Sequence, residues 1–268
     1  PSAFGNVWDS VSNQSDTLAY TYLMAEAKDP FPVYTVDMVN SLKANQQADS
    51  LGVNTTLHGI VYGVNLRPAG LQFTLRDNTG GIAVFNASGN LGYTVQEGDS
   101  IAVKGMIDQF NGLLEIIPSE ISFIATGKTL KQPSLTNVLD ESTESDLVRI
   151  EEVYLVDPAQ WTNSGSGFNV DITNGTDVFE MRIDNDVDIY GQPAPTGYFD
   201  IVGIGSQFDN SSPYNTGYQI QPRYQADITE LNASLVALAN TSLSFGSVAE
   251  NDTSAAQYFV VEGEYLLE

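Results

Sequence analysis

The sequence predicts an all-β protein built as two tandem five-stranded barrels, with partial β elements before and after them. Three observations carry this. A turn-closed hairpin feeding a short apolar strand occurs twice, as Asp77-Asn78-Thr79-Gly80-Gly81-Ile82-Ala83-Val84-Phe85 and as Ile172-Thr173-Asn174-Gly175-Thr176-Asp177-Val178-Phe179. Each copy lies among segments whose apolar and polar residues alternate, the two-residue period of a strand with one buried side. Glycines fall inside those segments, at Gly59 and Gly105 and again at Gly203 and Gly205, where they mark the bends a small closed barrel needs.

The elements follow in order. Residues 1–32 carry Val7-Trp8 and an apolar run from Leu18 to Met24, then stop at Asp29-Pro30-Phe31-Pro32, where two prolines halt regular structure. They are expected to be the tail of a preceding element. The stretch 34–42, apolar at Val36, Val39 and Leu42, predicts a short helix. The first barrel (33–131) takes strands at 56–64, 71–76, 81–85, 100–108 and 113–124, joined by Asn-Thr-Gly-Gly and Asn-Gly turns that favour hairpins. After a linker around Lys131-Gln132-Pro133-Ser134, the second barrel (135–230) takes strands at 147–155, 167–173, 177–183, 197–207 and 217–222. Residues 231–268 read as a linker followed by two strands, 242–248 and 257–263, that open a β-sandwich about 30 residues cannot close.

Composition narrows the function. With 34 acidic residues against 10 basic, the net charge is −24, a surface that repels nucleic acid and anionic membranes and stays dissolved outside the cell. There is no cysteine, which removes disulfides, thiolate metal sites and cysteine nucleophiles. No apolar run is long enough to span a bilayer. The chain begins at Pro1 rather than a methionine, so a processed or excised piece is expected. His58 is the lone histidine; it excludes a His-pair zinc site, and its place beside Gly59 in a strand reads as structural. Neither a Gly-x-Ser-x-Gly elbow nor a phosphate-cradling glycine loop is present. Carboxylate pairs for glycoside hydrolysis can be drawn anywhere among so many acids, so drawing one carries no information.

The motifs Leu57-His58-Gly59-Ile60-Val61-Tyr62-Gly63, Phe73-Thr74-Leu75-Arg76-Asp77 and Val103-Lys104-Gly105 make the first barrel resemble the oligonucleotide/oligosaccharide-binding (OB) domains of secreted bacterial proteins, extracellular nucleases among them. Val148-Arg149-Ile150-Glu151, Arg182-Ile183-Asp184-Asn185-Asp186 and Gly203-Ile204-Gly205-Ser206-Gln207-Phe208-Asp209 resemble the domain that follows it in large secreted or surface proteins of Bacteroidetes-type bacteria. Phe245-Gly246 to Val261-Glu262-Gly263 is similar to the start of an immunoglobulin-like module in the same proteins. The resemblance implies a secreted or cell-surface location, reached through the type IX secretion machinery.

Barrels of this kind take ligands on the outer face of their middle strands, bordered by loops. On the first barrel that points to Phe73, Arg76, Phe85 and Phe110, with Arg67 beside them. Single-strand binding needs such aromatics with a basic groove. Residues 135–230 hold three arginines against seventeen acids, a balance of −14, and alternate phenylalanines are also what a plain core requires. Sugars are neutral and stack on rings, so Trp161, Tyr190, Tyr214 and Tyr218 of the second barrel form a candidate carbohydrate platform, or else plug the barrel ends. Asp184, Asp186 and Asp188 stand at alternate positions, a spacing of hard oxygen ligands that suits calcium, with Asp209 and Asn210 as further ligands. The run departs from an EF-hand, having Ile189 where a glycine belongs, and a solvated acidic loop is the other reading.

The expected function is a non-catalytic extracellular spacer or binding module of a larger protein, with a polysaccharide or protein partner. Two rivals stand beside it: an accessory nucleic-acid-binding region of a secreted nuclease, and a structural export cargo with no ligand.

Overall fold

Alternation along a strand decides which side chains turn inward. In the computed structural model, which describes residues 30–231, 234–235, 247–254, 256 and 263–264, that rule builds the first unit from β1 (Val33–Tyr34), β2 (Asn54–Tyr62), β3 (Leu71–Arg76), β4 (Gly81–Asn86), β5 (Ser100–Phe110) and β6 (Leu113–Ala125). Leu71, Phe73 and Leu75 of β3, Ile82 and Val84 of β4, and Leu114 and Ile116 of β6 all point into one core. β2 pairs with β3 on one side and β5 on the other, β3 with β4, β5 with β6, and β4 runs parallel to β6 through Ala83 and Glu115. The five strands therefore return on themselves as a closed barrel, and β1 adds alongside β2 at Thr56 and Leu57.

Gly105 shows why a strand of this barrel tolerates glycine. The β5–β6 register shifts between Lys104 and Gly105, and a Cβ there would sit 2.3 Å from the carbonyl oxygen of Ile117. The bulge bends the long β5–β6 hairpin around the core, as its sequence position predicts.

The helix expected over 34–42 does not form. Only Val36–Met38 makes a 3-10 turn, because the three apolar positions serve packing rather than a helical repeat. Val36 and Val39 are buried against the barrel and Leu42 packs partly against it, while Asp77 Oδ2 accepts the Val36 N–H at 2.9 Å.

The second unit repeats the pairing. It contains β7 (Ser134–Leu135), β8 (Leu147–Leu155), β9 (Gly167–Thr173), β10 (Val178–Asp184), β11 (Phe199–Gln207), β12 (Tyr218–Gln221) and β13 (Ile228–Glu230). β8 pairs with β9 and β11, β9 with β10, β11 with β12, and β10 runs parallel to β12. Ser134, expected in a linker, instead joins Leu135 in a short strand parallel to β8. The acidic loop after β10 turns its apolar residues inward, with Val187 and Ile189 buried in the core formed by Ile150, Ile172, Met181 and Phe199.

Beyond the barrels, β14 (Ser234–Leu235) pairs antiparallel with β15 (Gly263–Glu264). Residues 1–29 and most of the two strands expected at 242–248 and 257–263 lie outside the described residues.

Candidate functional site

The two units meet along the outer face of β3, β4 and β6. Thr74, Ala83 and Leu113 face Ile204, Gly205 and Ser206 of the second unit, so residues that alternation turns away from one core are covered by the neighbouring barrel. A Cβ on Gly81 would stand 2.0 Å from the carbonyl oxygen of Ser145; only glycine lets the two backbones come this close. Arg76, at the end of β3, donates from Nη1 to that same carbonyl at 2.6 Å and pairs with Asp146 at 2.9 Å. Its guanidinium lies 5.8 Å from the centre of the Tyr62 ring, whose hydroxyl accepts the backbone N–H of Lys131.

Two further contacts fasten the junction. Arg223 pairs with Asp227 of its own unit at 2.8 Å and with Glu97 of the first unit at 2.6 Å. Burial works against the Arg223 charge, but the two carboxylates outweigh it and raise the affinity for its proton. At the tip of the β5–β6 hairpin, the carbonyl of Asn111 accepts the Asp209 N–H at 2.6 Å. There Phe110 and Phe208, both more than half exposed, meet edge to face with centroids 6.4 Å apart.

Burial raises the proton affinity of three carboxyl groups in and around the junction. The turn before β8 is capped by Asp140, whose side chain accepts the Ser142 N–H while Thr143 returns a bond to the Asp140 N–H. That box aims Glu144 at β6, where its Oε1 accepts the Leu114 N–H at 3.0 Å. Burial, helped by the nearby Glu141 charge, pushes Glu144 up to about 8. Burial also raises Glu141, against the stabilising bond from the Tyr218 hydroxyl at 3.2 Å. On β6, burial and the charge of Asp108 push Glu115 up to about 7.

A cleft of about 780 Å³ opens beside this junction. Its walls are His58 and Ile60 of β2, the Asp77–Gly80 turn, Lys131, and the turn carrying Glu141, Glu144 and Asp146. Most of its polar groups are spent on each other. Asp146 holds Arg76 and, at 3.4 Å, Lys131, and Asp77 accepts from Thr79, Gly80 and Val36. Two enclosed atoms lack a protein partner: Arg76 Nε, a donor, and Glu144 Oε2.

The structure disperses the residues that the sequence brings forward. Phe73 turns inward with Leu71 and Leu75, 3% exposed and 6.2 Å from the Tyr93 ring; it is a core residue and not part of an outer stacking face. Arg76 is buried in the junction. Phe85 is half-buried beneath the Arg67 guanidinium at 5.2 Å. Trp161 and Tyr190 pack on Phe168 at 5.4 and 6.1 Å and bond to the carbonyls of Gln192 and Gly165, closing one end of the second barrel. Tyr214 and Tyr218 are half-buried near the other end.

The acidic run is likewise divided. Asp184 ends β10 and accepts the Asp186 N–H, and Asp188 accepts the Gln225 N–H. Asp209 follows β11, at the opposite end of the barrel, where bonds from Thr216 and Ser211 saturate its carboxylate and lower its pKa. Asn210 beside it is exposed. Among the described residues no three acidic or histidine side chains converge as a metal-holding group.

No family model matches the sequence. The chain is 24% identical over 196 residues to the endonuclease YhcR of Bacillus subtilis strain 168, covering 69% of this chain and 15% of that protein. The chain thus spans only a small part of the relative's length. Among solved structures, the E. coli hypothetical protein ygiW matches at 23% identity over 36% of this chain and 94% of its own, with a TM-score of 0.27. The tetrameric p202 HIN2 structure matches at 14% identity over 68% of this chain and 94% of its own, with a TM-score of 0.33.

Glu144, Asp146, Lys131 and Phe208 did not stand out in the sequence. The pattern Asp140-Glu141-Ser142-Thr143 is a legible helix-start box, and it locates the turn, but nothing in the spacing says that its carboxylates face another barrel.

Proposed function

We propose that the chain is a non-catalytic accessory module of a larger extracellular bacterial protein, in which two OB barrels act as one body that spaces or binds, with a polysaccharide or protein partner. The observation that supports this best is the use made of the first barrel's middle strands. In OB barrels that face takes the ligand; here Thr74, Arg76 and Ala83 are given to holding the second barrel. The single histidine and the junction's spent carboxylates add no nucleophile and base in reach of one another. Export by the type IX route and a place at the cell surface belong to the same proposal and rest on the sequence resemblance. Binding of the full chain to a glycan array or to extracellular proteins in pull-down tests it, and DNA cleavage by the purified chain would overturn it.

The endonuclease relative favours a second reading, an accessory nucleic-acid-binding region beside a nuclease domain. Its matched length is close to that of the two-barrel body. Against it stands the engagement of every arginine: Arg67 with the Ala87 carbonyl, Arg182 with Asn169 and the Ser166 carbonyl, Arg149 with Asp200, and Arg76 and Arg223 at the junction. Gel shift against single-stranded DNA separates the two. Saturable binding that weakens steeply with added salt selects the nuclease reading.

A further inference from the structure

We propose that the junction between the barrels is a pH-operated clasp: with Glu144 protonated the second barrel stays docked over the β3–β4 face of the first, and ionisation of that carboxyl at alkaline pH releases it. The inference concerns how the two units are held together and stands apart from what the module binds.

The clasp is three consecutive residues of the turn before β8, each of which grips the first barrel. Glu144 Oε1 accepts the Leu114 N–H at 3.0 Å, the Ser145 carbonyl accepts from Arg76 Nη1 at 2.6 Å, and Asp146 pairs with Arg76 at 2.9 Å. Behind them, the Gly205 carbonyl accepts the Ser145 N–H at 2.8 Å and the Gly205 N–H donates to the Asp146 carbonyl at 2.9 Å. A Cβ on Gly81 would stand 2.0 Å from the Ser145 carbonyl oxygen, and one on Gly205 2.0 Å from that of Thr143. Backbone of both barrels thus closes on the turn, which has little room to shift and bring water to the carboxyl.

Enclosure makes the two charge states of Glu144 unequal. Part of the side chain borders the cleft, but Oε2 is closed off from solvent and has no protein partner. With Oε1 accepting an N–H, the proton belongs on Oε2. A neutral carboxyl with one bond is tolerable there, whereas a carboxylate with the same single donor is a buried, unpaired charge and far costlier. Undocking hydrates it, so the ionised form favours the open arrangement.

The surroundings supply no compensating charge. On its own turn stand Glu141 and Asp140, of the same sign, and the Tyr218 hydroxyl of β12 is engaged with Glu141 at 3.2 Å. Arg76 of β3 and Lys131 of the linker both pair with Asp146. On β6, Glu115 follows Leu114, with Asp108 across from it on β5, and His58 of β2 and Asp77 line the adjoining cleft. Burial first, and then the Glu141 charge, raises Glu144 from an ordinary 4.5 to about 8. Docking is therefore strongest below the ordinary value and weakens as pH rises toward the raised one. The change is up to about tenfold per pH unit, while the docked carboxyl keeps a proton that the open one has lost. Release uncovers Thr74 and Ala83, on the face where OB barrels take ligands.

The test uses the full chain with ¹³C-labelled Ile, Leu and Val methyl groups, partly aligned in an uncharged medium. Methyl residual dipolar couplings are measured at pH 5, 7 and 9, together with the carboxyl ¹³C shift of Glu144 assigned through its own backbone. One alignment tensor is expected to fit both barrels at pH 5 and two different tensors at pH 9, with the Glu144 carboxyl titrating over the same range. Glu144→Gln keeps the shape and the bond to Leu114 but cannot ionise, and it is expected to hold a single tensor at pH 9. Two tensors already at pH 5, or one still at pH 9, in the wild-type chain would refute the clasp, as would a Glu144→Gln chain that opens as the wild type does. Should that variant not fold, the wild-type titration decides, since a Glu144 carboxyl that titrates where the tensors do not change refutes the coupling. Opening abolished by about 0.5 M sodium chloride belongs to screened repulsion between the acidic surfaces and refutes it as well.

Discussion

Arg223 of the second barrel reaches across to Glu97 of the first at 2.6 Å while its own Asp227 grips it from behind at 2.8 Å. The guanidinium side chain is 11% exposed, so the contact ties the barrels together where water screens it little.

Arg223→Met should therefore loosen the docking more than it disturbs either core. Removing one partner of a buried pair leaves the other charge uncompensated, a loss of about 3 kcal/mol. Calorimetry of the wild-type chain should show one unfolding transition for residues 30–231, and the variant two. A variant that melts in one transition at the wild-type temperature would show that the pair does not couple the units.

Gly81→Ala places a methyl 2.0 Å from the Ser145 carbonyl. The clash is with backbone, which cannot rotate aside, so overpacking of about 1–3 kcal/mol is expected. The urea midpoint should fall accordingly, whereas Gly89→Ala, in open space though at positive φ, should cost about 1 kcal/mol.

Stability should decline as pH rises from 5 to 8. Glu115 and Glu144 sit at about 7 and about 8 against an ordinary 4.5, so between those limits the folded chain binds more protons than the unfolded one. Each unit of difference contributes about 1.4 kcal/mol at most. Urea midpoints at pH 5, 6, 7 and 8 measure the slope. Glu115→Gln should flatten the part of it below pH 7; a midpoint that climbs steadily over this range contradicts the assignment.

Trp161→Ala should destabilise the second barrel by about 2 kcal/mol, since it strips the contact with Phe168 and leaves the Gln192 carbonyl with the Asn163 amide alone. Thermal unfolding followed by near-ultraviolet circular dichroism reports this. An unchanged melting temperature would return the ring to the role of a solvent-facing platform.

Much of the fold was legible. Leu71–Arg76, Leu147–Leu155 and Gly167–Thr173 fall where alternation places them, because an inward row of apolar residues is written directly in the chain. The same parity could have placed Phe73 in the core with Leu71 and Leu75. The site was much less legible. Thr74 and Ala83 are buried by a second barrel, and the bonds that define the junction join residues 69 and 126 positions apart. Local periodicity describes a strand's two sides; it does not say that the polar-reading side meets another domain. The helix expected over 34–42 failed for a related reason, since its apolar residues answer to the barrel mouth rather than to one another.

With all five arginines turned to partners within the molecule, the excess of carboxylates is left as a nearly one-signed shell. Copies of the protein should hold one another off by their ion atmospheres, over roughly a Debye length of 10 Å at 0.1 M salt. The osmotic second virial coefficient should accordingly be strongly positive in dilute buffer and shrink as sodium chloride is added.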